Sequence, residues 1–572
     1  MSFFIYLLAF LFLSPFPSAW AAYRTEPIFI AYQTVRWILG IIYLYLVSYV
    51  FLIDLTAGGI ISAFLPMFLI GVIIDGFVLR RWVVEAWRGI IGGAILLIGY
   101  GGFLCIYQTT LASDKYKMAN AVRSNTVAAP ININHIPVVP EAYARYKSEK
   151  LLGHIPNYAY YQLGDSTIQT INNQLYWVTP IEYTGYVAFT KAGVIPGYIK
   201  MSAEDENAEP SFIKAPMTIV PSAYFSQKLQ RQIRRTFPHL ILLGTSFEPD
   251  DQGRPFYVVS IGHYTHYRSV PQVDGILLFD PKTGLIKRYG IHQLPTFVDQ
   301  VIPKSIAIER NKWFGKFRYG WLNSLIGRND VHEPTQKDEN NEVIAIFDQK
   351  LQMNWFTDHT INADSGSMVG YTLMDARTGK LTFYTKANGL INSRAALNSV
   401  NKMFKIQGFK GTSPVLYNLY GQYSWVVPVV DGNGVFRDLA IANAQNEKMV
   451  GYNESKHVAF DDYKTKLALS LADTAAPSQI TDQTKLSGTV THVFKAMDPN
   501  HLVTVEFMLS GSHHIFTVSS ATDPYAPFIE TGHRLTISYI ETNQVRASAL
   551  SITDSSINKL KAPPLRGIHE RG

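Results

Sequence analysis

The amino-acid sequence predicts an α+β membrane protein, in which N-terminal transmembrane helices precede repeated units of one helix and an antiparallel meander, followed by a small β-barrel. Three observations support this fold class. Apolar stretches crowd residues 1–110, one hairpin pattern recurs in the middle of the chain, and short alternating strands follow residue 484. The chain has 572 residues, of which 17% are charged, whereas ordinary soluble domains have roughly 25%. We therefore expect several domains and contact with lipid.

Four apolar stretches lie in the N-terminal part of the chain, at 2–20, 37–53, 58–79 and 89–107. Each approaches the roughly 20 residues that a helix needs to cross a bilayer, and the last three are predicted to be transmembrane helices. The first stretch has two interpretations. It is either a fourth helix or a signal peptide cleaved after Ala21, because Ser-Ala-Trp-Ala is typical of a cleavage site although no basic residue precedes it.

The arginines near these stretches predict the orientation of the chain. Arg24 and Arg36 precede the second stretch, and Arg80, Arg81 and Arg88 lie between the third and the fourth. Basic loops stay in the cytoplasm, so a retained first helix places the large C-terminal region outside it. Cleavage of the first stretch would reverse this result. We expect the retained form, a multi-pass protein of the bacterial inner membrane.

Asp75 is an ionisable residue inside the third stretch, where a charge is costly unless it is paired. One hypothesis is a proton or ion site. The other is a polar pair with Arg80, little more than one helical turn away, and the sequence favours this pair.

One hairpin pattern occurs twice, as GILLFDPKTGLIKRY at 275–289 and as GYTLMDARTGKLTFY at 370–384. In both copies an apolar strand reaches an aspartate whose side chain is expected to cap nearby backbone N–H groups, and the turn ends on a glycine that adopts positive φ at little cost. The structural turn residues are Asp280, Gly284, Asp375 and Gly379.

Four segments share a longer pattern, in which an aromatic-centred strand precedes the strand that leads into the turn. The aromatic residues are Trp177, Tyr257, Trp355 and Trp425, and the second strands are GYIKMSAEDEN, GILLFDPKTG, GYTLMDARTG and DLAIANAQNEK. The first copy lacks the aspartate turn, and the fourth lacks its glycine but has Asn443 and Asn446. Helical patterns at 222–237 and 393–406 precede two copies, so the predicted unit is a helix followed by a three-strand meander.

This arrangement resembles the PepSY module of protease propeptides and bacterial membrane-anchored envelope proteins, most clearly over 222–289 and 393–452, and also over 345–384 and 166–213. The whole layout is similar to bacterial multi-pass membrane proteins with several such hairpins. The resemblance implies a non-enzymatic module that binds, inhibits or regulates other envelope proteins. It implies no catalytic residues.

The C-terminal strands SGTVTHVF, LVTVEFML, HHIFTVS and RLTISYIE predict a small barrel of the OB or SH3 type. The predicted boundaries are a membrane segment at 1–110, a first αβ unit at 111–215, PepSY-like units at 216–295, 296–390 and 391–475, the barrel at 484–553, and a disordered tail at 554–572.

The sequence contains few residues suited to catalysis or metal binding. Cys105 is the only cysteine, which excludes an intramolecular disulfide. The histidines of His263-x-x-His266 and His513-His514 are the best metal candidates by type, but strand geometry separates them and we expect surface histidines. Asp364-Ser-Gly-Ser367 resembles half of an aspartic protease site, and a loop is the better interpretation.

Two tyrosine clusters are candidate contact surfaces, or else core aromatics: Tyr158, Tyr160 and Tyr161, and Tyr264 with Tyr267. We expect no catalytic, cofactor or metal residues and no nucleic-acid partner. The expected partners are the lipid bilayer and other envelope proteins or a second copy of the chain. The alternatives are a subunit of a membrane transport or secretion machine, and a hydrolase with an unfamiliar site.

Overall fold

The computed structural model describes residues 27–79, 86–127, 132–336, 343–473, 483–497, 503–520, 523–541 and 545–555. The predicted first apolar stretch, Arg80, Arg81 and the tail beyond residue 555 lie outside these residues. The chain divides into two compact units, the first reaching residue 127 and continuing over 132–392, and the second containing the chain from Ser393 onward. The structure is a mixed α+β fold with three apolar helices near its N-terminus and a closed five-stranded barrel.

Three helices form what we call the membrane anchor: α1 (Pro27–Tyr45, continued by a π-helical turn at Leu46–Val50), α2 (Ala57–Leu79) and α3 (Ala86–Thr110). They contain segments of 21, 22 and 24 residues that are long and apolar enough to cross a membrane. Helix α1 begins ten residues before the predicted stretch, because its polar N-terminal part remains helical and Arg36 finds a partner on α2.

The first sheet follows the helices α4 (Ala112–Met118) and α5 (Glu141–Leu152). Its strand order is β2-β4-β5-β6, with β3 also paired to β4, and a short helix α6 (Tyr186–Ala192) connects β4 to β5. The strands are β2 (Tyr161–Leu163), β3 (Thr167–Ile171), β4 (Gln174–Tyr183), β5 (Ile195–Ser202) and β6 (Ser211–Met217).

The second sheet is a four-stranded meander, β10-β9-β8-β7, preceded by α7 (Leu229–Thr236). Its strands are β7 (Ile241–Phe247), β8 (Tyr257–His266), β9 (Ser269–Phe279) and β10 (Ile286–Gly290). It has one strand more than the predicted meander, since β7 covers the free edge of β8. The predicted helix at 222–237 is shorter, because Phe225 adopts a φ of 50° that a continuous helix does not allow.

The third sheet has the order β1-β15-β14-β13-β11, with β12 also paired to β13. Helices α8 (Lys304–Lys316) and α9 (Gly320–Leu322, continued by a π-helical turn at Asn323–Gly327) precede most of it, whereas β1 comes from the segment after α4 and pairs in parallel with β15. The strands are β1 (Val122–Ser124), β11 (Glu333–Pro334), β12 (Ile344–Phe347), β13 (Met353–Thr360), β14 (Gly370–Asp375) and β15 (Leu381–Tyr384).

Both faces of the second sheet are buried, because alternate residues of its strands enter different cores. Val258 and Leu278 belong to a core shared with the third sheet, whereas Val259 and Leu277 belong to a core shared with the first sheet. The predicted boundaries near residues 215 and 295 therefore fall within shared apolar cores.

The second compact unit contains a fourth sheet and the barrel. The fourth sheet has the order β16-β18-β19-β20, with β17 also paired to β18, and helices α10 (Ser393–Met403) and α11 (Lys456–Asp473) lie before and after it. Its strands are β16 (Lys410–Gly411), β17 (Val415–Leu419), β18 (Gln422–Val430), β19 (Phe436–Asn443) and β20 (Val450–Asn453).

The barrel closes in the order β21-β22-β23-β25-β24, with β24 paired back to β21. Its strands are β21 (Thr484–Met497), β22 (Val503–Leu509), β23 (Ile515–Ser519), β24 (Arg534–Tyr539) and β25 (Arg546–Asp554). The last strand includes Asp554, which the sequence had assigned to the tail. Inward-facing apolar residues such as Phe507, Phe516 and Ile537 fill the interior.

The four sheets share one register. In each sheet, the aromatic residue noted in the sequence pairs with a residue on the next strand. The residue that follows this partner caps the turn at the end of that strand. The pairs are Trp177 with Met201, Tyr257 with Phe279, Trp355 with Met374 and Trp425 with Ala442.

Candidate functional site

The membrane anchor and the second sheet meet at a polar contact, which we call the junction. It is formed by residues 49–56 between α1 and α2, residues 231–239 of α7 and its C-terminal loop, and the β8–β9 hairpin tip at 264–269. Asp54 is its central residue, with only 4% of its surface exposed. Its Oδ2 atom lies 2.6 Å from Nη1 of Arg268, and Thr56 donates a hydrogen bond to Oδ1.

The electrostatics of the junction favour the ion pair. Burial alone would raise the pKa of Asp54, but the hydrogen bonds from Thr56 and Arg268 and the positive charges of Arg268 and Arg234 hold this pKa below its usual value. Burial would lower the pKa of Arg268, and Asp54 reverses the direction. Asp54 is buried, whereas the Arg268 side chain is one-third exposed. Removing Arg268 would leave the buried carboxylate without its nearest cation, so the pair fixes the position of the hairpin tip.

Two arginines of α7 hold the C-terminal end of the first anchor helix. Arg231 donates from Nη2 to the Tyr49 carbonyl at 2.7 Å, and its guanidinium lies 3.7 Å from the centre of the Tyr49 ring. Arg234 donates from Nε to the Leu52 carbonyl at 2.8 Å. These residues are three apart on one helical face, and cations are favourable where a helix ends in free carbonyls.

The backbone strengthens the same contact. The N–H group of Leu55 donates to the Pro238 carbonyl at 2.9 Å, and the ring Nδ1 of His239 lies 2.8 Å from the Leu55 carbonyl. The loop between α1 and α2 is therefore held by main-chain as well as side-chain hydrogen bonds.

The hairpin tip also contacts the C-terminal half of α3. The hydroxyl groups of Tyr267 and Tyr100 are 2.9 Å apart, and the Tyr107 hydroxyl accepts the Tyr267 N–H at 3.2 Å. Ser269 donates to Gln108 at 3.2 Å. Tyr267, one of the predicted contact tyrosines, thus binds the anchor of its own chain. The α1–α2 loop and the C-terminal end of α3 lie on the same side of the anchor.

A second polar cluster lies between α1 and α2, inside the anchor. Asp75 forms an ion pair with Arg36 and accepts a hydrogen bond from the Tyr32 hydroxyl at 2.6 Å. A cavity of about 180 Å³ adjoins Tyr32 and Arg36. The partner proposed from the sequence, Arg80, lies outside the described residues. Asp75 is 18 residues beyond Ala57, about 27 Å along the helix, and is therefore remote from the junction.

The predicted turn residues lie at hairpin ends. Oδ1 of Asp280 accepts the backbone N–H groups of residues 282 and 283, at 2.8 and 3.3 Å, and Oδ1 of Asp375 accepts those of residues 377 and 378, at 2.9 and 2.8 Å. Gly284 and Gly379 end these turns with φ of 77° and 74°. Strand β9 spans 11 residues between the junction and the Asp280 turn, about 35 Å at ordinary strand rise.

Two further turn residues were missed or only half recognised in the sequence. Oγ of Ser202 accepts the N–H groups of residues 204 and 205, both at 3.2 Å, and Oδ1 of Asn443 accepts those of residues 445 and 446, at 2.9 and 3.0 Å. Serine and asparagine cap a turn as aspartate does. Ser202 follows Met201, the residue that pairs with the aromatic Trp177. This position, equivalent to that of Asp280 in the second sheet, would have identified Ser202 as a capping residue.

A buried pair of carboxyl groups, Glu248 and Asp299, links the first and second sheets. Glu248 follows β7 and accepts the N–H group of Asp299 at 2.8 Å, while Asp299 accepts the N–H group of Thr170 on β3 at 2.7 Å. Arg377, in the turn of the third sheet, donates to the Thr296 carbonyl nearby at 3.0 Å. Burial and the neighbouring Asp299 raise the pKa of Glu248 to about 8, and burial raises the pKa of Asp299 to about 7. Solvent does not reach Glu248, so the pair is suited to structure and not to turnover.

Two histidines form a buried chain with an amide in the third sheet. The Nδ1 atoms of His332 and His359 are 3.0 Å apart, and His359 Nε2 lies 3.1 Å from Oδ1 of Asn311, whose amide donates to the Ala307 carbonyl. Since this amide orientation makes Oδ1 an acceptor, His359 donates to it from Nε2. Burial, with the charge of Arg123, lowers the pKa of His332 to about 4.

The candidate metal histidines are separate from one another. His263 pairs with Asp274 at 2.9 Å, His266 with Asp114 at 3.3 Å, and His514 with Glu541 at 2.9 Å. The sequence did not reveal these acidic neighbours, since they are distant in the chain or on another strand. Within the described part of the chain, no three histidine, cysteine, aspartate or glutamate side chains converge as a metal site requires.

Asp364 lies in the loop between β13 and β14, as expected, where its N–H group bonds to Asn362 at 3.0 Å.

No protein-family model matches the chain, and no curated protein sequence matches it. Among solved structures, a Bacteroides thetaiotaomicron protein described as a glycosidase aligns with 72% of this chain and 98% of its own, at 8% identity and a TM-score of 0.17. A sialidase aligns with 62% of this chain and 37% of its own, at 10% identity and a TM-score of 0.15. Similarities this low do not indicate a shared fold or activity.

Proposed function

We propose that this chain is a membrane-anchored cell-envelope protein whose extracytoplasmic PepSY-like repeats act as a non-catalytic binding, regulatory or scaffold surface. The observation that carries the proposal is the junction, in which the ion pair of the buried Asp54 with Arg268 and the α7 arginines hold the second sheet on the anchor. A surface held in one orientation over a bilayer suits recognition, because little freedom is lost when a partner binds.

The common register of the four sheets supports the repeat interpretation. Each aromatic residue pairs with the neighbour of a capping residue, and each cap accepts two backbone N–H groups. The caps are Ser202, Asp280, Asp375 and Asn443. The strand order of the barrel supports the OB alternative over the SH3 alternative.

The arrangement of the anchor supports the proposed orientation. The junction lies at the end of the anchor opposite to the C-terminal end of α2 and the N-terminal end of α3. Arg88 lies in the first turn of α3, and Arg80 and Arg81 follow α2 in the sequence. Basic residues favour the cytoplasmic side. The anchor then spans a bacterial inner membrane, and the sheets next to the junction lie outside the cytoplasm.

The barrel offers a surface on which the binding proposal can be tested. Met497 and Phe528 are exposed apolar residues. Lys495, on the same face of β21 as Met497, donates to the Pro527 carbonyl at 2.7 Å and so connects the end of this strand to the segment of Phe528. Exposed aromatic and Met side chains are enriched at interfaces.

The experiment uses the full-length chain in its native membranes, with a photo-crosslinking phenylalanine analogue in place of Phe528. We expect one dominant adduct, with an envelope protein or a second copy of the chain. The matched control places the analogue at Ile406, another exposed apolar residue in the same unit, outside the barrel. Adducts of equal yield at both positions, or at neither, would contradict the proposal.

A second candidate function is a subunit of a transport or secretion machine, which the ion pair inside the anchor favours. Charged residues within membrane spans often mark ion or substrate pathways. Asp75→Asn retains the shape of the side chain and removes its charge. Loss of function with normal assembly of the anchor would favour the machine, whereas retained partner binding and function would favour the scaffold.

A further inference from the structure

The segment that follows α8 has an apolar surface that no described residue covers. It comprises residues 319–326, at α9 and the π-helical turn after it. Ile326 is 78% exposed and Leu322 is 61% exposed, and Trp321 and Leu325 are also exposed. Four large apolar side chains this close together are unfavourable in water.

Segment 319–326 lies close to the C-terminal end of the anchor helix α3, and this position indicates that lipid covers it. Helix α9 contacts α4, and α4 begins at Ala112, two residues after α3 ends at Thr110. Helix α4 has only seven residues, about 10 Å of length. Segment 319–326 therefore lies beside the point at which α3 leaves the bilayer.

A second exposed apolar patch adjoins the end of α1. Tyr186 packs edge-on against Tyr224 and Phe225, at ring-centre distances of 5.2 and 5.9 Å, and Val187 next to it is exposed. The Phe225 carbonyl accepts from the same Arg231 guanidinium that donates to the Tyr49 carbonyl at the end of α1. This patch, defined by residues 186–187 and 224–225, lies at the same side of the anchor as the first.

The polar residues around segment 319–326 complete the pattern. Lys316, Arg318 and Arg328 flank it, with Asp330 as a partner of Arg318 at 2.5 Å. Aromatic and aliphatic side chains bordered by lysine and arginine are typical of segments that lie in the headgroup region of a membrane.

We propose that segment 319–326 and the patch at 186–187 and 224–225 insert into the leaflet that α1 and α3 leave, so that the sheets of the first unit lie on the bilayer surface. The partner is the lipid bilayer itself, with acyl chains against the apolar side chains and phosphate groups against the flanking basic residues. This inference rests on the proposed membrane anchorage, and it adds surface contacts that the three helices do not require.

The test uses the full-length protein in lipid nanodiscs, with Cys105→Ala removing the single native cysteine. Single cysteines at Leu322, Ile326 and Phe225 receive a nitroxide label, and collision rates with oxygen and with a water-soluble nickel complex are compared. Leu285 is the aqueous control, since it is 55% exposed and lies at the far end of β9 from the junction. Ile98 within α3 is the membrane control.

We expect the oxygen-to-nickel ratio at Leu322, Ile326 and Phe225 to exceed that at Leu285 about tenfold, approaching the ratio at Ile98, because oxygen partitions into hydrocarbon and the nickel complex does not. Ratios at the three positions equal to that at Leu285, with Ile98 in lipid, would overturn the surface contact alone. An aqueous ratio at Ile98 would overturn the anchorage and the inference together.

Discussion

Replacing Glu248 with glutamine should stabilise the first unit at alkaline pH and should leave it nearly unchanged near pH 5. Glu248 is buried beside Asp299, accepts the N–H group of that residue, and bonds to Ser246 at 2.7 Å. Glutamine has the shape of the protonated carboxyl group. Its oxygen can accept the Asp299 N–H group, and its amide can donate to the Ser246 hydroxyl.

The sign of the effect follows from the raised pKa. The pKa of Glu248 is about 8 in the folded state and 4.5 in the unfolded state. Between these two pH values the folded protein keeps the proton of Glu248, whereas the unfolded chain has lost it. Stability is complete below about pH 4.5 and falls as the pH rises through 8. The difference of about 3.5 units (8 − 4.5) corresponds to about 5 kcal/mol at most. Because Asp299 shares the same site, we expect Glu248→Gln to recover about 2–3 kcal/mol at pH 9.

Hydrogen exchange measured by mass spectrometry in detergent micelles is the assay, with rates corrected for the intrinsic effect of pH. Peptides covering β7 and β8 report the opening of the second sheet. The control is Glu333→Gln, at an exposed glutamate in the same unit, which should retain the wild-type pH dependence. Wild-type protection that rises between pH 5 and 9, or a Glu248→Gln variant that is less protected at pH 9, would refute the reasoning.

Arg268→Ala should destabilise the junction by about 3 kcal/mol, because it leaves the buried Asp54 without its nearest cation. The rate of protease cleavage in the β8–β9 hairpin measures this effect, and Arg268→Lys should destabilise the junction less. Asp280→Ala should cost about 1 kcal/mol through loss of the turn cap, seen as faster exchange in β9 and β10, and an unchanged rate would show that the cap is dispensable. The lowered pKa of His332, about 4, means that the third sheet is most stable above pH 6.5 and loses stability as the pH falls towards 4, which exchange in β13 and β14 would detect. A phosphatase fused after Lys115 should be active only if this point lies outside the cytoplasm, and inactivity would reverse the proposed orientation.

The two pH effects act in opposite directions within one compact unit. Buried carboxyl groups between the sheets favour acidic conditions, and the buried His332 in the third sheet favours neutral conditions. Between about pH 4.5 and 6.5 the effects of Glu248 and His332 oppose each other, so these two groups together should change the stability of the first unit little in this range.

Local features of this protein were predictable from the sequence because they depend on residues close together in the chain. Apolar runs of about 20 residues identify the three anchor helices, and alternating strands identify the barrel. The aspartate-to-glycine spacing placed the turns at Asp280 and Asp375, since a side chain that caps the next two or three N–H groups acts within one turn.

The polar contacts between elements were decided by tertiary structure alone. Asp54 and Arg268 are 214 residues apart in the sequence. Asp75 pairs with Arg36 on helix α1, whereas the sequence suggested Arg80, five residues after Asp75. Periodicity shows that a face is buried, but it does not identify the partner that covers it, because the partner depends on how sheets and helices stack. The sequence thus determined the elements of this protein, and the packing of those elements determined which charges meet at the junction.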